Sequence, residues 1–284
     1  MEEYQREAIL EPLSFEGKQM GEIWDLSDFK FEDDLPSGLS GKLNISTEII
    51  SQKRCVIKEI PIGDYEYNNE TAIQTEISIL KKLYSSYIIK LYGYFVKNCN
   101  YYLVFEYGGI DLLEYMMKYG KIESVKIKKI FGQMLEAVNE CHKNGIMHRD
   151  IKPENFVYNI ETGTIKLIDF GFATTEKTSN KKIGTPLYFS PEVNSIKFDK
   201  TVYYTKCIDI WSLGCIFYIF LHGKPSFNIT KLKTHQLPYV LKNIRCKLIG
   251  HSDNEIDILF KMLEIVPYKR ATTEELLQHS YFKV

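Results

Sequence analysis

Hydrophobic and polar residues between positions 54 and 107 follow two different periods. Residues 54–60 and 101–107 are short runs typical of strands. Residues 71–83 place apolar side chains three or four positions apart, which predicts a helix; these are Ile73, Ile77, Leu80 and Leu83. This part of the chain is therefore predicted to be β-rich with one long helix, and Gly108-Gly109 closes it.

The remainder of the chain is predicted to be mainly helical. Apolar positions within 127–138 line one face of a helix that is expected to end near Asn144-Gly145, because glycine there suits a C-cap. Residues 165–168 form a short strand-like run. Residues 208–220 are apolar nearly all round, which is typical of a buried central helix.

Together these patterns predict an α+β fold of two lobes. The smaller β-rich lobe would span residues 23–107 and the larger, mainly helical lobe residues 108–284, with residues 1–22 as an N-terminal extension. The length of 284 residues, 44% of them apolar, is enough to build a sizeable core. A cleft is expected where the lobes meet.

Charge and cysteine content narrow the function classes. Lys and Arg total 36 against 37 Asp and Glu, so neither nucleic acid nor an anionic membrane is expected as the main partner. Six cysteines occur without CxxC spacing, which argues against a zinc site and favours reduced thiols in the cytoplasm or nucleus. Residues 1–10 lack the apolar run of a secretory signal.

The strongest chemical signal is a pair of polar motifs. Residues 148–155 read HRDIKPEN, and residues 169–171 read DFG. Asp150 would orient an attacking hydroxyl, while Asn155 and Asp169 offer hard oxygen ligands of the kind that Mg²⁺ prefers. An isolated Asp or Asn is more often a turn cap, but the complete string disfavours that interpretation.

These motifs resemble the catalytic loop and the metal motif of eukaryotic protein kinases, and the resemblance spans residues 24–282. It implies a two-lobed protein kinase fold. It also implies transfer of the γ-phosphoryl group of ATP, with Mg²⁺ as cofactor, to protein substrates. Lys152 would then lie near the transferring phosphoryl group.

The resemblance assigns two residues of the smaller lobe to phosphate binding. Residues 55–58 (CVIK) resemble the V-A-I-K strand, so Lys58 would hold the α- and β-phosphates. Glu76, on the following helix, would form an ion pair with Lys58, and Glu70 is the alternative partner. Without this alignment to the family motifs, Lys58 and Glu76 would be interpreted as charged residues on the solvated surface.

The glycine-rich loop departs from the family pattern. Residues 36–43 (PSGLSGKL) retain two of three glycines, Gly38 and Gly41, which would let backbone N–H groups approach phosphates. Pro36 fixes φ and has no N–H, so the loop is expected to be stiffer at its entry.

The same register implies a set of residues around the nucleotide. Leu43 and Val56 would lie above the adenine, Phe105 would close the back of its pocket, and Asp111 would bond the ribose. The whole set is Leu43, Val56, Phe105, Glu106, Gly108, Asp111 and Val157. Its apolar members are equally compatible with a role in the core.

A third group of motifs favours a protein substrate. Residues 184–192 (GTPLYFSPE) and 209–214 (DIWSLG) resemble segments that kinases of small molecules generally lack. Glu192 is expected to form a buried ion pair with Arg270. Asp209 is expected to anchor the backbone of the catalytic loop.

Substrate preference is also implied by the resemblance. Lys152 and Thr185 together resemble Ser/Thr kinases rather than Tyr kinases, so Ser or Thr acceptors are expected. Glu154 and Asp111 face the peptide in basophilic relatives. They therefore predict Arg or Lys just before the target residue.

The activation mechanism stays open. Many relatives carry a phosphothreonine four residues before Thr185, where this chain has Lys181. Arg149 would bind such a phosphate. We therefore expect activation either without loop phosphorylation or through Thr178 or Ser179, with or without an activating partner.

Two further alternatives remain at this point. Pro36, Val56 and Lys181 also fit a pseudokinase, a scaffold that binds partners without phosphoryl transfer, whereas the intact catalytic motifs favour activity. Residues 24–29 and 91–95 resemble Aurora-type mitotic kinases. Residues 169–174, together with the strings GTP at 184–186 and GKP at 223–225, resemble Polo-type or calcium/calmodulin-dependent kinases. A cell-cycle role is therefore one hypothesis among several.

Overall fold

The protein is represented by a computed structural model that describes residues 24–38, 41–63, 69–196, 201–224, 229, 232 and 234–283. The chain divides into two compact units. Among the described residues, the first unit contains those from Trp24 to Lys81 together with Ile89–Tyr107, and the second contains Lys82–Ile88 and those from Gly108 to Lys283. The predicted N-terminal extension (residues 1–22) and the middle of the predicted glycine-rich loop (residues 39–40) lie outside the described residues.

The first unit is an antiparallel sheet with one helix. Helix α1 spans Asn69–Leu80. The strands follow the order β1-β2-β3-β5-β4 and are β1 (Phe29–Gly38), β2 (Gly41–Glu48), β3 (Arg54–Pro61), β4 (Leu91–Lys97) and β5 (Asn100–Glu106). Asn98 and Cys99 both have positive φ and form the two-residue turn between β4 and β5, a geometry that matches strand twist.

The two faces of this sheet differ because side chains alternate along each strand. One face carries an aromatic and aliphatic core of Trp24, Phe29, Cys55, Ile57, Phe95, Tyr102 and Val104. The other face carries Val56 and Lys58, which alternate with Cys55 and Ile57 along β3. The polar chemistry of the first unit therefore lies on the face opposite the aromatic core.

The second unit is mainly helical. Its small sheet has the order β6-β7-β8, formed by Ile110–Asp111, Phe156–Asn159 and Thr164–Leu167. Its helices are α2 (Leu112–Tyr119), α3 (Ser124–Lys143), α4 (Pro191–Ser195), α5 (Cys207–His222), α6 (Leu237–Lys247), α7 (Asp253–Met262), α8 (Thr273–Leu277) and α9 (Ser280–Lys283). Helix α5 is buried on all sides, as predicted, and α3 ends at its C-cap Asn144.

The α+β fold class is confirmed, and one predicted helix is too long. Helix α1 ends at Leu80, not at Leu83. The chain then leaves α1 for the second unit, where Ile88 pairs with Leu167 of β8. Leu83 is buried, but it lies in this connecting segment. Within the described part of the chain, no helix combines the length and apolar character needed to cross a bilayer.

Candidate active site

The first unit contains the predicted ion pair between Lys58 and Glu76. Lys58 Nζ lies 2.9 Å from Oε1 and 3.0 Å from Oε2 of Glu76, and both residues are 4% exposed. Charged side chains are seldom buried to this extent unless they are paired. The pair therefore holds an ammonium group in a fixed position on the face of the sheet opposite the aromatic core.

Predicted nucleotide-binding residues share the sheet face of Lys58. Leu43 pairs directly with Lys58 across β2 and β3, and Val56 lies two residues before it. Phe105 of β5 is opposite Val56 and is buried. Because residues directly opposite each other in a ladder point to the same face, this face combines an ammonium group with apolar neighbours.

Glu70, the alternative partner considered for Lys58, has a different neighbour. It accepts a hydrogen bond from the Tyr101 hydroxyl at 3.1 Å, and Gln74 Nε2 donates to the same hydroxyl oxygen at 3.0 Å. Two residues one turn apart on α1 are thereby tied to β5. Tyr101 was not predicted from the sequence, because an aromatic residue in a strand indicates packing rather than a hydrogen-bonded anchor.

Glycine and backbone groups of the first unit have structural roles. Gly41 has a φ of +129°, and a Cβ there would lie 2.5 Å from the carbonyl oxygen of Glu59. The residue must therefore be glycine for β2 to approach β3. The N–H of Glu106 donates to the Lys90 carbonyl at 3.0 Å, so the backbone N–H of Glu106 is used within the protein.

In the second unit, Asp209 holds the catalytic loop as predicted. Its Oδ2 accepts a hydrogen bond from the His148 N–H at 3.0 Å, and its Oδ1 accepts one from the Arg149 N–H at 2.9 Å. Its Oδ2 also lies 3.0 Å from His142 Nε2. Burial alone would raise the pKa of Asp209, but the hydrogen bonds and the nearby histidine charges hold it below its ordinary value of 3.8.

Asp150 is buried and is contacted by three polar side chains. The Thr185 hydroxyl donates to Asp150 Oδ1 at 2.7 Å, and Asn155 Nδ2 donates to Oδ2 at 3.1 Å. Lys152 Nζ lies 2.8 Å from Asp150 Oδ2 and 3.2 Å from Thr185 Oγ1. These contacts fix the orientation of the carboxylate, which is what a hydroxyl-orienting group requires.

The segments that carry the two predicted metal ligands, Asn155 and Asp169, lie next to each other in the folded chain. The Ile168 N–H donates to the Asn155 carbonyl at 2.9 Å, which places Asp169 directly beside the loop that carries Asn155. Asp169 has a φ of +57°, and its Oδ1 accepts a hydrogen bond from the Gly171 N–H at 3.3 Å. Phe170 is buried and packs edge-on against His148 with ring centroids 5.0 Å apart.

Three further predicted nucleotide-binding residues belong to the second unit, namely Asp111, Gly108 and Val157. Asp111 caps α2, accepting a hydrogen bond from the Glu114 N–H at 2.8 Å. Gly108 is buried where the chain returns to the second unit after β5, and Val157 is half-buried in β7, where it pairs with Asp111. The predicted nucleotide-binding roles of all three stay predictions.

The segment from Asp169 to Glu192, called the activation segment below, ends at a buried ion pair. Arg270 donates to both carboxylate oxygens of Glu192, at 2.7 Å and 3.1 Å, which confirms the predicted pair. Ser190 caps α4. Burial raises the pKa of Tyr188, and the negative charges of Glu154 and Asp150 act in the same direction. This end of the segment is therefore packed beside the catalytic loop.

The α+β fold and these two groups of polar residues define a protein kinase. A family model described as the protein kinase domain matches residues 29–282, and the chain belongs to that family.

Three curated relatives show how far the similarity extends. Calcium-dependent protein kinase 5 of Plasmodium falciparum is 36% identical over 76% of this chain and 39% of its own length. The carbon catabolite-derepressing protein kinase of Candida glabrata is 30% identical over 88% of this chain and 40% of its own length. The dual specificity protein kinase TTK of Mus musculus is 33% identical over 84% of this chain and 30% of its own length. The alignments thus cover 30–40% of these relatives.

Proposed function

We propose that this chain transfers the γ-phosphoryl group of ATP to serine or threonine hydroxyls of protein substrates. The observation that carries the proposal is the contact of Thr185, Lys152 and Asn155 with the Asp150 carboxylate. Thr185 donates a hydrogen bond to one oxygen of the Asp150 carboxylate, and Asn155 donates one to the other. The carboxylate therefore has a fixed orientation in which it can accept the proton of a substrate hydroxyl.

The residues present fit a magnesium-bound nucleotide. Lys58, positioned by Glu76, would hold phosphate oxygens, and Asn155 and Asp169 offer oxygen ligands to Mg²⁺. Bound Mg-ATP supplies the phosphoryl group, with the metal neutralising charge on its oxygens. Lys152, 2.8 Å from Asp150, would add positive charge where the acceptor oxygen bonds to phosphorus.

Transfer of labelled phosphate from γ-labelled ATP to peptides with Ser, Thr or Tyr acceptors tests this function. Asp150→Asn should lower kcat about a hundredfold or more, because the variant cannot accept the hydroxyl proton in the same way. Asp253→Asn, which changes an exposed Asp on α7, is the matched control and should retain activity. Equal labelling by the wild type and Asp150→Asn would refute the proposal. If the wild type binds ATP but labels no peptide, the protein is a pseudokinase. If it labels Tyr peptides as strongly as Ser and Thr peptides, it is a kinase of dual specificity.

We also propose that peptides with Arg or Lys just before the acceptor are preferred. Glu154 supports this, because its Oε2 is buried and accepts no hydrogen bond within the described part of the chain. An Arg or Lys of a peptide that reached this oxygen on binding would supply the partner that it lacks within the described residues. Glu154→Gln should raise KM for an Arg-containing peptide and leave KM for its Ala analogue unchanged, with the exposed Glu161→Gln as control. A peptide library that selects proline or acidic residues instead would contradict the preference.

A cytoplasmic or nuclear location is proposed from the cysteines. All six are free thiols, as expected in a reducing compartment. If a tagged copy is found in neither the cytoplasm nor the nucleus, the proposed location is excluded.

A role in cell-cycle signalling is also proposed, and the resemblance of residues 24–29 to Aurora-type kinases supports it. If depletion of the protein leaves the mitotic index unchanged, the cell-cycle role is excluded.

A further inference from the structure

Tyr204, in the loop before α5, contacts the activation segment through both its backbone and its side chain. Its N–H donates to the Ser179 carbonyl at 2.9 Å, and the Ser179 N–H donates to the Tyr204 carbonyl at 3.0 Å. The Tyr204 hydroxyl donates to the Lys181 carbonyl at 2.7 Å. Tyr204 is 2% exposed, so its ring is buried, and its hydroxyl meets the backbone of a residue whose side chain is exposed.

These contacts lie between the other attachment points of the activation segment. Upstream, Thr174 and Met147 exchange two backbone hydrogen bonds of 2.9 Å. Downstream, Thr185 donates to the catalytic Asp150. Residues 179–181 are therefore held only a few positions before the threonine that contacts Asp150.

The position where related kinases carry a phosphate is occupied by a cation, Lys181. Arg149, which would bind such a phosphate, already donates from Nε to the Phe172 carbonyl at 2.6 Å and from Nη1 to Ser179 Oγ at 3.4 Å. Ser179 is 4% exposed, so a modifying enzyme cannot reach its hydroxyl in this conformation. Two N–H groups of Arg149 thus already donate to oxygens of the activation segment.

From these contacts we infer that Tyr204 is a positioning residue of the phosphoryl-transfer reaction. Its hydroxyl and backbone hold residues 179–181 so that Thr185 stays bonded to Asp150, and transfer requires no phosphate on the activation segment. This inference rests on the proposed function. It also selects, of the two activation hypotheses, the one that is independent of loop phosphorylation.

Comparison of Tyr204→Phe with Tyr203→Phe tests the inference. Both variants lose one phenolic hydroxyl from adjacent positions, but Tyr203 is 62% exposed. Loss of the hydrogen bond to the Lys181 carbonyl should lower kcat/KM for a peptide by about fivefold to tenfold in Tyr204→Phe. The dissociation constant for ATP should not change, and Tyr203→Phe should match the wild type in both measurements. Unchanged kcat/KM in Tyr204→Phe, or an equal loss of ATP affinity, would overturn the inference.

Hydrogen exchange gives a second readout that does not require activity. Amides of residues 179–182 should exchange several times faster in Tyr204→Phe than in the wild type, while amides of β7 and β8 keep their rates. If the wild type labels no peptide but this local change occurs, the proposed function fails, and what stands is that Tyr204 holds residues 179–181 in place. If exchange at residues 179–182 is unchanged, the positioning fails whatever the activity.

Phosphatase treatment tests the second half of the inference. Wild-type protein whose activation segment is shown by mass spectrometry to carry no phosphate should keep its kcat/KM within about twofold, since no phosphate contact is lost. A loss of tenfold or more after treatment, with recovery on rephosphorylation at Thr178 or another segment residue, would overturn it.

Discussion

Gly184 lies directly against the carbonyl oxygen of Arg149, so the activation segment touches the catalytic loop backbone to backbone. Its φ is +108°, and a Cβ at this position would collide with that oxygen. The next residue, Thr185, donates to Asp150. The close approach therefore places the threonine hydroxyl beside the catalytic carboxylate.

Replacement of Gly184 by Ala should lower kcat/KM, whereas the same replacement at Gly223 should lower only the stability. The added Cβ forces the segment away from Arg149, so we expect kcat/KM to fall at least about tenfold. Gly223→Ala is the control: Gly223 has a φ of +77°, but apart from its own neighbours along the chain no atom of the described residues lies within 4 Å of the position that a Cβ would take. That variant should lose about 1 kcal/mol of stability and keep its kcat/KM. Peptide kinetics and thermal melts distinguish the two, and equal activity in both variants would contradict the role of the close approach.

Tyr101 should be important for the position of α1. Tyr101→Phe removes the hydroxyl that contacts Glu70 and Gln74, so α1 and its Glu76 are held less firmly and KM for ATP should rise severalfold. Tyr102→Phe is a matched control on the opposite face of β5, where its hydroxyl donates to Glu59 at 3.0 Å. Both variants should lose about 1 kcal/mol of stability. A rise in KM for ATP in Tyr102→Phe as large as that in Tyr101→Phe would show a general effect on the sheet.

The Lys58–Glu76 pair should affect stability and activity in different ways. Glu76→Leu leaves a buried ammonium without this carboxylate and should lower the free energy of unfolding by about 3–5 kcal/mol. The double variant Lys58→Met/Glu76→Leu should recover most of that loss, since neither charge remains, yet neither variant should transfer phosphate at a wild-type rate. Urea titrations followed by circular dichroism, with peptide kinetics, measure both effects. A double variant as unstable as Glu76→Leu would show that packing rather than charge limits stability here.

Asp209 should give a stability contribution that disappears in acid. Because its pKa in the folded protein lies below 3.8, its contribution is fully present above pH 3.8 and is lost as the pH falls through the lowered pKa. Asp209→Asn should therefore be less stable than the wild type by about 2–3 kcal/mol at neutral pH, and the difference should shrink below pH 3.8. Denaturant titrations of both proteins at several pH values provide the measurement. A difference that stays constant in acid would mean that the carboxylate charge is not its source.

Much of the candidate site could be predicted from the sequence because its members belong to linear motifs. Asp150, Asn155 and Asp169 occur in two short strings, and the pairs Lys58–Glu76 and Glu192–Arg270 followed from the family register. The secondary structure was predictable where periodicity is strong, as in α3 and α5. The end of α1 was not, because the apolar Leu83 continues the helical pattern although it is buried elsewhere.

Sequence alone determined the α+β class, the protein kinase motifs and the order in which the reactive residues occur, because local side-chain periods and short strings encode them directly. The tertiary structure decided which hydroxyls anchor those residues. Tyr101 reaches Glu70 across 31 positions, and Tyr204 reaches Lys181 across 23. Such contacts depend on how strands, helices and loops pack against one another, and no local pattern distinguishes these two tyrosines from their neighbours Tyr102 and Tyr203.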